Sequence, residues 1–330
     1  MKILFWGTPA FAVPSLRALD DEGFHIVGVV TQPDRPAGRG RHLRPSAVKE
    51  VALEQGFEVF TPDRPRTEEF MDAIRALDPD VSIVVAYGHI LKPEVLAVPR
   101  LGSINVHASL LPELRGAAPI NWAIARGHNE TGVTIMRMVE AMDAGAILHQ
   151  VREPIFADET AGELTVRLSE LGAEAVVETL ALVGAGVAEE VEQDHEAATY
   201  APKVDREVAR IDWNRTAKEV SAHVRGMDPI PGAWTRLADA PVKLFRPTVW
   251  TRAEVEVIRG DGPTTNGGPP SRANGEAPGL VIQTSAEDGV LVMTADGGVA
   301  FAEAQPPGKR RMSAADWVNG RGVEAGQRFE

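Results

Sequence analysis

The first 180 residues alternate short Val- and Ile-rich runs with stretches of helical period, and few folds accept that rhythm. Ile3–Trp6, Ile26–Val30, Val81–Ala86 and Ser103–His107 read as strands, mostly covered on both faces. Between them, Phe11–Leu19, Ser46–Gln55, Thr67–Leu77 and Pro119–Arg126 carry helical spacing. Thr8-Pro9 offers an N-cap and a proline at the first helical position, and Gly56 and Gly127 stand where C-terminal glycines belong. A longer helix, Thr160 to Val183, is opened by the capping-box pattern Thr160-Ala-Gly-Glu163. Strand, helix, strand in this order requires crossover connections, so residues 1–186 are expected to form a doubly wound α/β domain on a mostly parallel sheet.

From Gly184 to Thr199 the chain turns to Gly, Ala and Glu without a firm period, which reads as a linker over residues 187–203. Residues 204–330 differ in kind. One helix, capped by Thr216-Ala-Lys-Glu219, precedes short alternating runs at Trp234–Leu237, Val242–Arg246, Thr248–Ile258, Leu280–Thr284, Val290–Thr294 and Val299–Ala302. Gly, Pro and Asp turns separate them, as in a small antiparallel barrel. Gly260–Pro278, with almost no apolar side chain, reads as a hairpin insertion.

Composition enters as a set of exclusions. No run approaches the roughly 18–20 apolar residues of a membrane span, and the first residues have neither signal-peptide nor transit-peptide character. A cytoplasmic chain with no membrane contact is expected. There is no cysteine, hence no disulfide, thiolate nucleophile or Cys-ligated metal, and the eight His show no paired spacing. No metal is expected. Without a heptad or an exposed apolar stripe, the expectation is a monomer.

The net charge of −13 speaks at first against a nucleic-acid partner. Its distribution speaks otherwise. Residues 1–199 hold 30 acids against 17 bases, whereas residues 200–330 hold 17 of each. Inside the acidic part, Arg35, Arg39, Arg41, Arg44 and Lys49 follow one another with no acid between them. A basic loop on an acidic body is a local footprint for a polyanion; the plainer reading is a solvated surface loop.

A parallel α/β domain invites a nucleotide, yet the motifs are missing. The first strand runs into Gly7-Thr8-Pro9-Ala10-Phe11, where Pro9 and Phe11 stand in place of the glycines that let backbone amides reach a pyrophosphate. Neither a GxxxxGK[ST] loop nor a GxSxG elbow occurs.

Chemistry concentrates instead near residue 105. In the strand Ser103–His107, Asn105 and His107 lie two apart and share a face, at the carboxyl end of a parallel strand. An extended loop, Ala108 to Gly116, follows, and after the strand Gly132–Met138 the segment Met142-Asp143-Ala144-Gly145 supplies an acid among small residues. Alone, each has a bland reading, a structural histidine or a turn aspartate. Together, an amide donor, an imidazole and a carboxylate suit acyl transfer to an amine.

These residues resemble a known family. Asn105-Val-His107, Ser109-Leu-Leu-Pro112, Arg115-Gly116 and Asp143-Ala-Gly145 are similar to the signature of 10-formyltetrahydrofolate-dependent formyltransferases. Gly7-Thr8-Pro9, the run Thr31 to Gly40, Pro45-Ser46 and Val48-Lys49 resemble the branch acting on methionyl-tRNA. The likeness is almost continuous to residue 180 and looser from Tyr200 onward. It implies a formyltransferase-type Rossmann-like domain, then an OB-like barrel that contacts tRNA. It further implies formyl transfer from 10-formyltetrahydrofolate to methionyl-initiator tRNA. By the same resemblance Asn105, His107 and Asp143 carry catalysis, and Ser109, Leu110, Leu111 and Pro112 border the folate. Arg35, Arg39, Arg41, Arg44, Lys49, Lys203 and Lys243 are the candidate tRNA contacts, with Arg206 and Lys309-Arg310-Arg311 as further cations. Three rivals stay open: a formyltransferase for an amino sugar on a nucleotide, a formyl-folate hydrolase, and a catalytically silent RNA-binding module.

Overall fold

The computed structural model describes residues 1–37, 42–259, 277–285 and 289–330. Arg39 and Arg41 of the basic loop, and residues 260–276 of the expected insertion, lie outside the described residues. The chain divides into two compact units, one of residues 1–120, 130–154 and 163–202, the other of 121–129, 155–162 and 203–330.

In the first unit the strands are β1 (Lys2–Gly7), β2 (His25–Val30), β3 (Arg35–Ala37), β4 (His42–Arg44), β5 (Val59–Phe60), β6 (Val81–Val85), β7 (Ser103–His107), β8 (Glu130–Arg137) and β9 (Ile147–Pro154). Between them run α1 (Val13–Asp21), α2 (Ala47–Glu54), α3 (Glu68–Ala76) and α4 (Pro93–Leu96), and α6 (Ala161–Ala185) follows β9; α5 (Pro119–Ala125), before β8 in the chain, belongs from Asn121 on to the second unit. Seven strands form one sheet in the order β5-β2-β1-β6-β7-β8-β9. The first five pair in parallel; β8 and β9 add an antiparallel edge beside β7. Every residue of β6 is buried, as a strand covered on both faces must be. Trp6 anchors one face: its ring meets Tyr87 at 5.2 Å and Phe70 at 5.8 Å edge-on, and its Nε1–H donates to Ser82 Oγ at 3.1 Å.

Two sequence expectations change here. Thr8-Pro9 does not open a helix: Ala10–Ala12 forms a single 3-10 turn, α1 begins at Val13, and Thr8 Oγ1 donates to the Tyr87 carbonyl at 2.9 Å. Pro14 explains the delay. In a helix starting at Pro9 it would fall in the interior and clash with a carbonyl four residues back, whereas here it occupies the first turn. The described flanks of the basic loop, for their part, pair as antiparallel strands, β3 and β4, with Arg35 directly opposite Arg44.

The second unit contains α7 (Ala217–Met227), β10 (Trp234–Leu237), β11 (Ala240–Thr251), α8 (Arg252–Arg259), β12 (Val281–Ser285), β13 (Gly289–Met293), β14 (Gly297–Gln305), β15 (Met312–Ser313) and α9 (Ala314–Asn319). The strands form one antiparallel sheet in the order β10-β11-β14-β13-β12, with β15 on β14. Its two edges are joined through the last residues, because Phe329 bridges Leu237 at the end of β10 and Arg328 bridges Leu280 just before β12. Phe329 stacks between Trp213 (5.7 Å) and Trp317 (6.4 Å) in the core of this unit. The expected strand Thr248–Ile258 is half right: β11 ends at Thr251 and α8 follows. Thr251 Oγ1 accepts from Glu254 N–H while the Glu254 carboxylate accepts from Thr251 N–H, a capping box that turns the chain helical.

On α7, burial pushes the His223 pKa below the ordinary imidazole range of about 6.5, only partly opposed by a hydrogen bond to the Ala209 backbone. The unfolded chain therefore takes up a proton that the folded chain resists. That stability is intact above about pH 6.5 and is lost as pH falls below it toward the folded pKa. The denaturant midpoint is expected to drop between pH 7 and 5, and to drop less in His223→Phe. Parallel slopes for the two chains would count against this account.

Candidate active site

The site is built at the carboxyl end of β7. His107 is 5% exposed and Asn105, two residues earlier on the same face, is half-buried. The Asn105 carboxamide makes no hydrogen bond among the described residues. His107 Nε2 lies 3.1 Å from the Leu114 carbonyl oxygen. A carbonyl only accepts, so this nitrogen carries the proton and donates. Leu114 has φ 58, a left-handed conformation that bulky side chains rarely adopt. The strained turn is what aims its carbonyl back at the imidazole.

The other ring nitrogen faces Asp143. His107 Nδ1 and Asp143 Oδ1 are 3.8 Å apart, too far for a hydrogen bond and close enough for an ion pair once the ring is protonated. The Leu114 carbonyl, rather than Asp143, holds the imidazole by a hydrogen bond. Asp143 is itself held, because Oδ2 accepts from Gly116 N–H at 2.8 Å. Gly116 has φ 118, and a Cβ there would stand 2.8 Å from the Ala201 carbonyl oxygen, so the position demands glycine. Gly145 is equally constrained, with the Arg137 carbonyl oxygen 1.9 Å from where a Cβ would sit.

The Ser109–Pro112 loop is pinned from beneath by Thr134, which is fully buried. Its hydroxyl donates to the Ser109 carbonyl at 2.7 Å and accepts from Leu111 N–H at 3.1 Å, while Gln150 Nε2 donates to the Leu111 carbonyl at 2.8 Å. Ser109 and Leu111 point inward and are buried; Leu110 and Pro112 are half-exposed. Around Asp143 the exposed apolar side chains are Val139 and Met142.

The candidate tRNA cations divide. Arg35, Arg44 and Lys203 are exposed and carry no ion pair among the described residues. Lys49 is tied to Asp34 at 2.7 Å, and Lys243 donates to the Pro231 carbonyl at 2.6 Å, so both have structural partners. Arg206 lies over the Trp234 ring at 5.0 Å. Arg311 is wholly engaged: it grips Asp228 with both terminal nitrogens, bonds Glu303, and lies 3.9 Å over the Phe245 ring. Lys309 and Arg310 are exposed. Sequence reasoning did not single out Leu114, Thr134, Gln150 or Gln193; each acts through backbone groups that come together only in the fold.

An Asn-x-His strand end beside a loop aspartate, on a doubly wound sheet, is an arrangement suited to acyl transfer to an amine. Residues 1–180 match the family described as formyl transferase, and residues 203–322 match the formyl transferase C-terminal domain. The chain belongs to the formyl transferase family. It is 46% identical over 329 residues to the methionyl-tRNA formyltransferase of Symbiobacterium thermophilum, covering 100% of this chain and 95% of that one. It is 40% identical to that of Clostridioides difficile, over 99% of each chain. Among solved structures, WlaRD, a sugar 3N-formyl transferase, matches with TM-score 0.62 at 18% identity, over 94% of this chain and 99% of that one. HypX from Aquifex aeolicus in complex with tetrahydrofolic acid matches with TM-score 0.60 at 20% identity over 96% of this chain. This chain spans about half of HypX, 47% of its length. At these identities the structural likenesses speak for the fold alone.

Proposed function

We propose that this chain transfers the formyl group of 10-formyltetrahydrofolate to the α-amino group of methionyl-initiator tRNA, giving N-formylmethionyl-tRNA. The observation that carries the reading is identity of 40–46%, over 99–100% of this chain, to methionyl-tRNA formyltransferases. Residues 1–186 serve as the catalytic domain and residues 204–330 as the tRNA-binding domain, in a monomer working in the cytoplasm. No helix among the described residues is long and apolar enough to cross a membrane.

The site geometry suits this chemistry. The donor supplies a formyl carbon already activated for attack by an amine. A free α-amine has a pKa of about 7.7–8, so positioning and oxyanion stabilisation matter more than a strong base. The unpaired Asn105 carboxamide donates to the formyl oxygen as charge develops there. His107 commits Nε2 to Leu114, leaving Nδ1, 3.8 Å from the Asp143 carboxylate, to take or return a proton. The exposed Val139 and Met142 beside Asp143, with the half-exposed Leu110 and Pro112, provide an apolar border for a flat folate ring.

The β3–β4 strand pair favours a polyanionic substrate over a small one. Two arginines directly opposite one another repel, and Arg35 and Arg44 hold that pairing with no acid between them. The test is formyl transfer from 10-formyltetrahydrofolate to charged initiator tRNA against an amino-sugar nucleotide. Product on the sugar alone would overturn the reading. In the Arg35→Ala/Arg44→Ala chain, KM for the tRNA is expected to rise several-fold and its log–log salt slope to flatten by about one to two units. KM for the folate should stay within about twofold; a large shift there would show that the strand pair serves the donor instead.

A further inference from the structure

The segment Glu190–Pro202 has no periodic pattern, yet it is stitched to the first unit along its length. Val191 exchanges both backbone hydrogen bonds with Ile147, at 2.8 and 2.9 Å. Thr199 accepts from Arg115 N–H at 2.9 Å and, through its hydroxyl, from Leu114 N–H at 2.8 Å. Ala201 donates to the Arg115 carbonyl at 2.7 Å. The segment is a strap across the loop that carries Leu114 and Gly116, the two residues whose backbone holds His107 and Asp143.

Gln193 sits near the start of the strap and is 5% exposed. Its Oε1 accepts from Arg115 Nε at 3.1 Å and from the terminal nitrogen at 2.5 Å. Its Nε2 donates to the carbonyls of Asp143, at 2.9 Å, and Gly145, at 2.7 Å. No backbone N–H among the described residues reaches either carbonyl. The register makes these bonds consequential. Arg137, the last residue of β8, lies opposite Ile104, whereas His107 lies three residues further along β7. The Asp143 loop therefore leaves the sheet about 10 Å from the imidazole and must fold back along the strand. It does so with Asp143 at φ 51, in the small left-handed region that aspartate tolerates better than most residues.

We propose that Gln193 is a positioning residue for formyl transfer: its carboxamide locks the folded-back loop so that the Asp143 carboxylate faces His107 Nδ1. The proposal rests on the reading of Asp143 as part of the reacting site. Gln193→Leu keeps the volume and removes the four hydrogen bonds to Arg115, Asp143 and Gly145, together with a weak one from Nε2 to the Met136 sulfur. Gln193→Glu keeps an acceptor for Arg115 while setting a carboxylate oxygen against the two loop carbonyls.

The experiment is steady-state transfer to charged initiator tRNA by wild type, both Gln193 variants, Asp143→Asn and the double variant Gln193→Leu/Asp143→Asn. A displacement near 1 Å costs up to about 100-fold in rate, so kcat should fall roughly 30- to 100-fold in both Gln193 variants, with both KM values within about threefold. In the Asp143→Asn background, Gln193→Leu should cost less than about threefold, since no positioned carboxylate remains to be lost. A purely structural staple would give the same loss in both backgrounds, and that result overturns the proposal. So does a folded Gln193→Glu chain with kcat within about threefold of wild type. If the wild-type chain formylates no charged tRNA, the functional reading falls and takes this proposal with it. Wild-type turnover with indifferent Gln193 variants overturns the proposal alone.

Discussion

His107→Ala is expected to lower kcat by about 10²–10³-fold, the usual cost of removing one pre-aimed group from an acyl-transfer site. The imidazole is 5% exposed and its Nε2 is committed to the Leu114 carbonyl, so no water inherits both its position and its proton-accepting Nδ1. The loss should appear in kcat, because His107 meets charge that exists only as the bond forms. His107→Gln separates chemistry from architecture, since a glutamine amide can still donate to Leu114. Its stability should exceed that of His107→Ala while its rate stays low. Turnover within about tenfold of wild type in either variant would remove His107 from the mechanism. Asn105→Ala belongs to the same class.

The largest effect on stability is expected from Arg311→Met. Asp228 is 3% exposed and its carboxylate is gripped by both terminal nitrogens of Arg311, at 2.7 and 3.1 Å. Burial works against the guanidinium charge, but hydrogen bonds to Asp228 and Glu303 outweigh it and hold the Arg311 pKa above its ordinary value. Removing the arginine strands a buried carboxylate, which costs about 3–5 kcal/mol, toward the lower figure here because Arg311 is 31% exposed. Thermal unfolding should show the drop, and Asp228→Asn in the same chain should restore part of it. Lys309→Ala and Arg310→Ala should stay within about 0.5 kcal/mol of wild type. An unchanged melting temperature in Arg311→Met would return that side chain to the candidates for phosphate contact.

The contrast among these three neighbouring cations shows what one sequence discloses. Charge was legible, whereas engagement was not: Arg311 differs from Arg310 through its partners, chief among them Asp228, which lies 83 positions earlier. The strands of the first unit could be read because burial on both faces leaves an unbroken apolar run, as in β6. Asn105 and His107 could be paired because a period of two fixes a shared face. The run Thr248–Ile258 misled because Val249, Val255 and Val257 alternate with polar residues as a strand would, although Thr251 and Glu254 were spaced as a cap. Leu114 and Gln193 gave no signal at all. One acts through a strained carbonyl and the other through a loop that doubles back, and neither is a property of local sequence.

The seam through Phe329 and the strap through Gln193 also set an order in time. During synthesis Asp143 emerges before Gln193, so the catalytic loop is complete only once the strap has followed it. Leu237 must wait for Phe329, roughly 90 residues later, which at about 5–20 residues per second is some 5–20 seconds. Through that interval Trp213 lacks the ring that stacks on it, and Trp317 joins the chain only shortly before Phe329 does. The second unit's apolar seam is then exposed to chaperones and to other nascent chains, while the first unit has every residue it needs to close.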